Sequence, residues 1–454
     1  MPVLASAYDF AFNGIAYKII STSDLTVEVT SGCTPSNGVL NIPATVEFKG
    51  RIFKVIGIGQ DACKNFYSSL TEVNIASGVT YIGQGAFSGN DLKVVRIPNT
   101  IKTIGGSAYY WVNRESYGFL GDQYRNNPIE VLFEDGTDTL EGQIDDGTHW
   151  LPFPSSYCNP TKIYVGRNIN NYLISDVCNY TVEDLTIGDQ VTEISQDNLH
   201  ANPFSAMFYN MRKITFGKGL THVPMIDSGD KLNDIYMRST TPPTSEGFES
   251  NTYIRATLHV PSGSKTAYAT ANVWKDFWTI EEYEVTDNSQ CNMSIVSSYP
   301  SNNAIDIPVT AHVSIQFSEQ IVANTDYPSF SYDNFSLKDE NGNRVSNSDG
   351  EIVFTEDRIG VKTISPLKPN TSYTFTIPAC HLKTKRTGWP NVEEITLRFT
   401  TGSSTGIIQL SSGEIQQSNK VFSLSGQSFY VGKSSNGKLP KGVYIINHKK
   451  VIVR

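Results

Sequence analysis

Acidic and histidine side chains stand close together at one place in this 454-residue chain, where they could bind a cation or move protons. Asp145, Asp146 and His149 share the segment LEGQIDDGTHWLPFP, and the histidines are otherwise dispersed. Two carboxylates beside an imidazole suit a divalent cation, but such a glycine-containing stretch is equally typical of a solvated loop. We favour the solvated loop and expect neither a metal ion nor a cofactor.

A second polar cluster partly imitates a calcium-binding loop. In the segment KDENGNRVSNSDGE, Asp339, Asn341 and Asn343 have the correct spacing, but Arg344 occupies the position that requires glycine. The turn geometry of a calcium loop therefore fails, and the pattern favours a polar hairpin turn.

Catalytic signatures give no support for an enzyme. The sequence contains no HExxH motif and no P-loop, and its six cysteines form no CxxC pair. Because catalysis needs titratable groups that converge, we expect no enzymatic activity.

Aromatic side chains are concentrated in two segments, residues 105–128 and 134–160, which together also carry Asn, Gln and Arg. Amphipathic rings of this kind suit a carbohydrate or a protein surface, and rings that fold inward to seal the fold are the alternative. Eight residues are the candidates for ligand binding: Tyr109, Tyr110, Trp111, Tyr117, Tyr124, His149, Trp150 and Tyr157.

The elements that must hold these segments are set by an internal repeat. The stretch LTEVNIASGVTYIGQGAF, which starts at Leu70, is restated 22 residues later, from Leu92, as LKVVRIPNTIKTIGGSAY. A period in the twenties predicts a solenoid whose units bury their apolar faces only against their neighbours. The two aromatic segments interrupt this period, and such insertions map to loops on one face, which is often the binding face.

Each unit of the solenoid begins with a short strand of alternating type. Nine are predicted, at LNI (40), EVNI (72), VVRI (94), EVLF (130), KIYV (162), DLTI (184), KITF (213), DIYM (234) and TLHV (257). Side chains two residues apart share a face, so Val73 and Ile75 should be buried while Asn74 lies outside. A parallel ladder that rises about 4.8 Å per unit gives a rod of roughly 40 Å.

Both ends of the solenoid carry capping patterns, as open ends require. Asn13 and Gly14 stand at the centre of an alternating N-terminal stretch, which predicts a β-hairpin. After the last strand, a short helix is expected from about Ser264. The aromatic residues that follow it, among them Trp274 and Trp278, are expected to close the core, with a binding site as the alternative.

Charge and hydropathy limit the class of partner. The net charge is −9 and the pI is near 5.4, which argues against nucleic acid and against an anionic membrane surface. No stretch approaches the roughly 18 consecutive apolar residues of a membrane helix, so we expect no membrane insertion. Ala5, Ser6 and Ala7 resemble a signal cleavage site, which indicates the stub of a removed export signal or a chance start.

Two cysteines lie at nearly equivalent points before two predicted strands. Cys158 and Cys178 could therefore lie in adjacent turns about 5 Å apart. A disulfide and a pair of small buried thiols stay open as alternatives. The oligomeric state is not determined by the sequence.

The composition changes after the solenoid, which we assign to residues 1–286. Residues 287–402 hold about seven short strands and an Asn-Gly hairpin, a pattern that indicates a β-sandwich. A Ser/Thr/Gly linker leads to residues 403–454, a small β module. The predicted fold class is therefore mainly β.

Three parts of the chain resemble known families. The repeats resemble the BspA-type leucine-rich repeats of bacterial surface proteins over roughly residues 35–285, through VVRIPNTIKTIGGSAY above all. The stretches YPSNNAIDIPVTAHVSIQFSE and LKPNTSYTFTIPA look like a bacterial Ig-like domain. VFSLSGQ, LPKGVYIIN and KKVIVR resemble the C-terminal sorting domain of type IX secretion cargo, with a simple terminal β module as the alternative.

These resemblances imply a protein secreted by, or displayed on the outer surface of, a Gram-negative bacterium. The predicted function is binding or adhesion, in which the solenoid recognises a host or environmental macromolecule, either an extracellular protein or a glycan. The alternatives are a structural display stalk and a glycan-capturing accessory protein of a polysaccharide-utilisation system.

Overall fold

The computed structural model describes residues 8–35, 37–105, 107–108, 120, 127–143, 150–151, 159–169, 181–194, 210–226, 229–345, 349–403, 407–410, 421–423, 428–429, 442–446 and 449–453. The chain divides into two compact units, Met1–Asn292 and Met293–Arg454. The fold is mainly β, as predicted from the sequence. Among the described residues, no helix is long and apolar enough to cross a membrane.

The first unit opens with the strands of its N-terminal cap and first repeat: β1 (Phe10–Phe12), β2 (Ile15–Ser21), β3 (Thr26–Thr30), β4 (Gly38–Ile42), β5 (Thr45–Phe48) and β6 (Arg51–Ile58). Strands β1 and β2 pair antiparallel. Asn13 and Gly14 between them have positive φ angles of 48° and 77°, which is what a two-residue hairpin turn needs. The hairpin that the Asn-Gly pair predicts is therefore present.

The repeats of the first unit contribute the strands β7 (Leu70–Ile75), β8 (Tyr81–Ile82), β9 (Val94–Ile97), β10 (Thr103–Gly105), β11 (Ser107–Ala108), β12 (Pro128–Phe133), β13 (Glu141–Gln143), β14 (Trp150–Leu151), β15 (Asn159–Val165), β16 (Asp184–Ile187), β17 (Lys213–Phe216), β18 (His222–Val223), β19 (Asp234–Met237), β20 (Thr244–Ser245), β21 (Thr257–Pro261) and β22 (Thr279–Tyr283).

A parallel sheet of ten strands, here called the long sheet, runs through the repeats in the order β4-β7-β9-β12-β15-β16-β17-β19-β21-β22. It contains all nine strands that the sequence predicted, and β22 adds one that the prediction missed. Val73 and Ile75 are buried as expected. Asn74 lies on the outer face yet is also buried, because its amide donates to the Asn41 side-chain oxygen on the neighbouring strand, at 3.1 Å.

A second sheet, here called the short-strand sheet, joins the cap to the early repeats in the order β1-β2-β3-β6-β8-β10-β13. From β3 to β13 its strands are parallel neighbours. Strands of two or three residues, such as β8, show no alternation in the sequence, so this sheet was not predicted. One apolar cluster includes side chains from both sheets, with Ala86 and Phe87 of the repeat motif fully buried in it.

Two short helices lie near the C-terminal end of the solenoid, α1 (Ser250–Arg255) and α2 (Lys265–Thr270). Helix α2 begins just after Ser264, as predicted. Trp274 is fully buried, and its indole N–H donates to the Pro243 carbonyl at 2.7 Å. Trp274 therefore closes the core, whereas Trp278 is 75% exposed.

The second unit begins with the strands β23 (Ile295–Tyr299), β24 (Ala304–Ile307), β25 (Val313–Phe317), β26 (Ile321–Ala323), β27 (Ser336–Asp339), β28 (Gly350–Phe354), β29 (Arg358–Thr363), β30 (Ser372–Ile377), β31 (Leu382–Thr384) and β32 (Ile395–Thr401). They form the sheets β23-β25-β29-β28 and β24-β32-β30-β27 and the pair β26-β31. Alternate residues of these strands bury a common apolar core, which is the arrangement of a β-sandwich.

The polar segment of this sandwich that imitates a calcium loop is held by its own hydrogen bonds. The Asp339 carboxylate accepts the backbone N–H groups of Asn341 and Asn343 and the Lys368 ammonium. Hydrogen bonds from Asn343 and Lys368 lower the pKa of Asp339 to about 2. Arg344 donates to backbone carbonyls instead of allowing a metal-binding turn.

The chain ends in a sheet of the order β33-β37-β36-β34-β35. Its strands are β33 (Ile407–Leu410), β34 (Val421–Ser423), β35 (Ser428–Phe429), β36 (Gly442–Ile446) and β37 (Lys449–Val453).

Candidate functional site

Most residues proposed from the sequence as a ligand site lie outside the described residues. These are Tyr109, Tyr110, Trp111, Tyr117, Tyr124, His149 and Tyr157, together with Asp145, Asp146, Cys158 and Cys178. Trp150 is described through its backbone, as part of β14.

That backbone nevertheless fixes where the two aromatic segments begin. Strands β11 and β14 pair antiparallel, with Ala108 opposite Trp150. Strands β10 and β13, which lead into the segments, are parallel neighbours, with Gly105 opposite Gln143. The segments therefore leave the short-strand sheet side by side. We call residues 106–127 and 144–158 the insertion pair.

A polar groove of about 510 Å³ lies where the chain enters the same strands. Loops of three successive repeats line it, through Gly78, Thr80, Asn99, Thr100, Lys102, Gly136, Thr137 and Asp138. The Thr100 hydroxyl accepts the Gly78 N–H at 3.0 Å and donates to the Val79 carbonyl at 2.9 Å, which joins two of the loops. Lys102 and Asp138 are exposed, so the groove offers a cation and a carboxylate to a polar ligand.

The outer face of the long sheet carries a row of alternating charges, which are Glu130, Lys162, Asp184, Lys213 and Asp234 on successive strands. The Lys162 ammonium lies 2.6 Å from the Glu130 carboxylate, and that of Lys213 lies 3.2 Å from Asp184. Like charges directly opposite each other would repel, so the alternation stabilises the parallel register. These residues are the first letters of five predicted strands, so the alternation of charge from repeat to repeat is visible in the sequence.

An aromatic cluster continues this face towards the C-terminal end of the solenoid. His259 stacks on Tyr236 with ring centroids 4.2 Å apart, and Tyr283 contacts Tyr236 edge-on at 5.2 Å. The Lys213 ammonium lies 5.5 Å from the Tyr236 ring centre, and its strand is on the side opposite to that of His259. Because neighbouring side chains contact Tyr236 from both sides, its ring offers little flat surface for a ligand.

The last residues of the first unit run back along the long sheet. We call residues 286–292 the strap. Asp135 and Gln290 are joined by two hydrogen bonds, since the Asp135 N–H donates to the Gln290 carbonyl at 2.9 Å and the Asp135 carboxylate accepts the Gln290 N–H. The same carboxylate accepts the Tyr164 hydroxyl at 2.9 Å. The Glu134 carboxylate accepts the Asn292 N–H at 2.8 Å.

Burial of these carboxylates changes their acidity. Removal from water raises the pKa of Asp135 to about 6, although hydrogen bonds from Tyr164 and Gln290 oppose the change. Burial also raises the pKa of Glu134. Arg167 is completely buried nearby and donates to the Asn99 carbonyl at 2.7 Å, and burial lowers its pKa to about 10. The charges are therefore expensive to bury and are held by specific partners.

An ion pair holds the other end of the strap. The Arg238 guanidinium donates two hydrogen bonds to the Asp189 carboxylate, at 2.9 and 3.0 Å. It donates a third to the Thr286 carbonyl, at 2.8 Å. Burial raises the pKa of Asp189, but the hydrogen bonds and positive charges of Arg238 and Lys218 together outweigh it, and the net pKa is lowered. In the described part of the solenoid, the carboxylates whose pKa is shifted are thus bonded to other groups of the chain itself.

No three His, Cys, Asp or Glu side chains converge as a metal site in the described ranges of the chain. The two sheets of the solenoid therefore differ in what lies beside them. Polar groups of the long sheet bind one another and the strap, whereas the short-strand sheet leads into the groove and the insertion pair.

Two family matches agree with this architecture. Residues 56–123 match the BspA type leucine rich repeat region, in six copies. Residues 289–401 match the bacterial Ig-like domain. No curated protein matches the chain.

Solved structures of leucine-rich proteins align with the chain at low identity. A cell surface protein of Faecalibacterium prausnitzii is 13% identical, covers 61% of this chain and 95% of its own, and has a TM-score of 0.17. The pneumococcal vaccine antigen PcpA is 12% identical, covers 61% of this chain and 98% of its own, and has a TM-score of 0.19. A leucine-rich repeat protein of Bacteroides ovatus is 15% identical, covers 62% of this chain and 100% of its own, and has a TM-score of 0.17.

TM-scores this low carry no argument about function, so the assignment depends on the family matches and on the fold itself. The chain contains a BspA-type leucine-rich repeat region and a bacterial Ig-like domain.

Proposed function

We propose that this chain is an exported cell-surface protein whose solenoid recognises an extracellular protein or glycan through the insertion pair. The observation that carries the proposal is the pairing of β11 with β14, because it brings two aromatic-rich segments to one place. A recognition site needs such convergence, since single rings spread over a surface contribute little affinity.

The scaffold beneath the insertion pair supports the same proposal. Ile104 on β10 is completely buried, and so is Leu140, directly before β13. The chain therefore enters both aromatic-rich segments from fixed strands, and a rigid scaffold lowers the entropy cost of ordering a binding segment. The groove at the other end of these short strands adds a cation and a carboxylate within reach of a large ligand.

The proposal includes no catalytic step. A recognition protein needs complementary surface only, and the carboxylates with a raised pKa, Glu134 and Asp135, are bonded to the strap. Export from a Gram-negative bacterium is part of the proposal and depends on the sequence of the last 50 residues, which resembles a type IX sorting domain.

The test is a binding screen of the full chain against a glycan array and a panel of extracellular-matrix proteins. The double variant Trp111→Ala, Trp150→Ala is screened beside it. The matched control is Tyr67→Ala, Trp278→Ala, which removes two exposed rings of the solenoid outside the insertion pair. Thermal unfolding of all three proteins shows whether each variant keeps the fold.

We expect saturable binding that the control retains and the insertion variant loses by at least tenfold, without a change in unfolding. No binding on either panel would instead favour a structural display stalk. A loss of several kcal/mol of stability in the insertion variant, about 3 to 5, would mean that these rings seal the core.

A further inference from the structure

Two buried cysteines meet where the N-terminal cap joins the first repeat. Cys33 follows β3 and Cys63 follows β6, and these strands are parallel neighbours with Val29 opposite Ile58. The cysteines therefore lie at nearly equivalent points beyond strands that are about 4.8 Å apart. That spacing falls in the range of about 4.4 to 6.8 Å between the Cα atoms of disulfide-bonded cysteines.

The side chains confirm what the strand register predicts. The two side chains are close enough to affect each other's acidity, since a hydrogen bond with Cys63 lowers the pKa of the Cys33 thiol and interaction with Cys33 raises that of Cys63. The Cys33 thiol lies 3.3 Å from the Thr30 carbonyl, to which it donates. Cys33 is 4% exposed and Cys63 is completely buried, and both belong to the same apolar core.

The repeat motif gives an independent reason to single out Cys63. The first repeat reads IGQDAC from Ile58, and the next repeat reads IGQGAF from Ile82. Cys63 thus takes the position of Phe87, which fills the core of its own unit. In the first repeat, Cys33 and Tyr17 lie beside this position and interact electrostatically with Cys63.

We propose that Cys33 and Cys63 form a disulfide bond that ties the N-terminal cap to the first repeat. Both cysteines are free thiols in this structure, which is the reduced state of the site. The proposal concerns the chemistry of the chain and does not depend on its export or on its ligand.

The bond requires an oxidant that carries a disulfide. A Cys33 thiolate attacks one sulfur of the oxidant, which forms a mixed disulfide and releases one thiolate. The Cys63 thiolate then attacks the Cys33 sulfur and releases the second. Two electrons pass from the cysteine pair to the oxidant, and the two protons that the cysteines lose are taken up by the released thiolates.

Access decides when this exchange takes place. Because both thiols are buried in the folded cap, an oxidant reaches them in the unfolded chain or while the cap closes. The bond would close a loop of about 30 residues, which restricts the unfolded chain and raises the midpoint of thermal unfolding by about 5 to 10 °C.

The test begins with refolding of the full chain in a mixture of oxidised and reduced glutathione. Remaining thiols are alkylated in denaturant, and the chain is digested with trypsin without reduction. Trypsin releases Cys33 in residues 19–49 and Cys63 in residues 55–64. We expect one cross-linked product of these two peptides, which reduction separates. Separately alkylated peptides, or cross-links to other cysteines, would overturn the proposal.

A second measurement compares thermal unfolding of the oxidised and the dithiothreitol-reduced chain. The variants Cys33→Ala and Cys63→Ala should both lose the difference between the two states. The matched control Cys380→Ala removes a buried cysteine of the second unit and should keep the difference. A redox-dependent midpoint that persists in Cys33→Ala would contradict the assignment. Peptide mapping of the unsubstituted chain decides the matter even if a variant fails to fold.

Discussion

The long sheet and the short-strand sheet contribute to one core, yet they lead to different surfaces of the solenoid. On the long sheet, Lys162 and Lys213 pair with carboxylates on neighbouring strands, and Asp135 holds the strap. The short-strand sheet ends at β13 and leads at one end into an open groove and at the other into the insertion pair.

The difference teaches how a repeat protein can separate stability from recognition. A regular parallel ladder places equivalent residues side by side every 4.8 Å or so, and its polar groups find partners in the next repeat. Where the period is interrupted, the inserted residues have no counterpart in the next repeat, and in repeat proteins such insertions are often the binding face. Substitutions on the long sheet should therefore change stability, and those on the other side should change binding.

The largest effect on stability is expected from Arg238→Met. The change removes both bonds to Asp189 and the bond to Thr286, and it leaves a largely buried carboxylate, whose side chain is 16% exposed. We expect a loss of about 2 to 3 kcal/mol in urea unfolding. The control Arg212→Met breaks an ion pair whose side chains are 59% and 54% exposed, and should cost less than about 0.5 kcal/mol. Equal losses of unfolding free energy in the two variants would contradict a special role of the buried Arg238–Asp189 pair.

A pH dependence is expected from Asp135. Its pKa is about 6 in the folded chain and about 3.8 when solvated, so the folded state binds more protons between these values. The free energy of unfolding should therefore fall as the pH rises from about 4 to 6, and level off above that. Since the group is partly exposed, solvent reduces its share to about 1 to 2 kcal/mol.

The variant Asp135→Asn should flatten this part of the pH profile. Asp138→Asn, an exposed acid of the same repeat, is the control and should leave the profile unchanged. If the slope between pH 4 and 6 survives in Asp135→Asn, another group is responsible, and the raised pKa of Glu134 makes that residue the next to test.

A smaller effect is expected from Asp184→Lys. The substitution places a lysine between Lys162 and Lys213 and ends the alternation of charge on the outer face. We expect a loss of about 1 kcal/mol that shrinks in high salt, because like charges on neighbouring strands repel. The neutral variant Asp184→Asn should lose less. A cost that is independent of salt would show that packing, and not charge, is responsible.

The smallest effect on stability is expected in the groove. Lys102→Ala and Asp138→Ala change exposed side chains and should each shift the free energy of unfolding by less than about 0.5 kcal/mol. A cost above about 1 kcal/mol in either variant would show that the groove, like the long sheet, is committed to the fold.

The sequence predicted those parts of the fold that repeat. Burial of Val73 and Ile75 follows from alternation within a strand, and the hairpin follows from Asn13 and Gly14. Strand β22 was missed because its residues, TIEEY, are mostly polar and come after the aromatic residues that close the core. Strand β22 is at the edge of the sheet, and it is identified by its pairing with β21 and not by a pattern in its own sequence.

The candidate site was less accessible to prediction. The strap depends on backbone groups that meet side chains 155 residues away, as between Gln290 and Asp135, and no pattern in the sequence marks such a contact. The charged row was visible in the first residues of the strands but requires the register to interpret. The pairing of Ala108 with Trp150 joins two irregular segments, which periodicity cannot align.

The central claim is that recognition belongs to the insertion pair and not to the long sheet. The most direct measurement is a titration of the ligand found in the screen against the full chain and two double variants. The first double variant combines Trp111→Ala with Trp150→Ala. The second combines Lys162→Ala with Asp184→Ala. The account predicts that Kd rises at least tenfold in the first variant and less than twofold in the second. The reverse order would contradict it and place the ligand on the charged face of the long sheet.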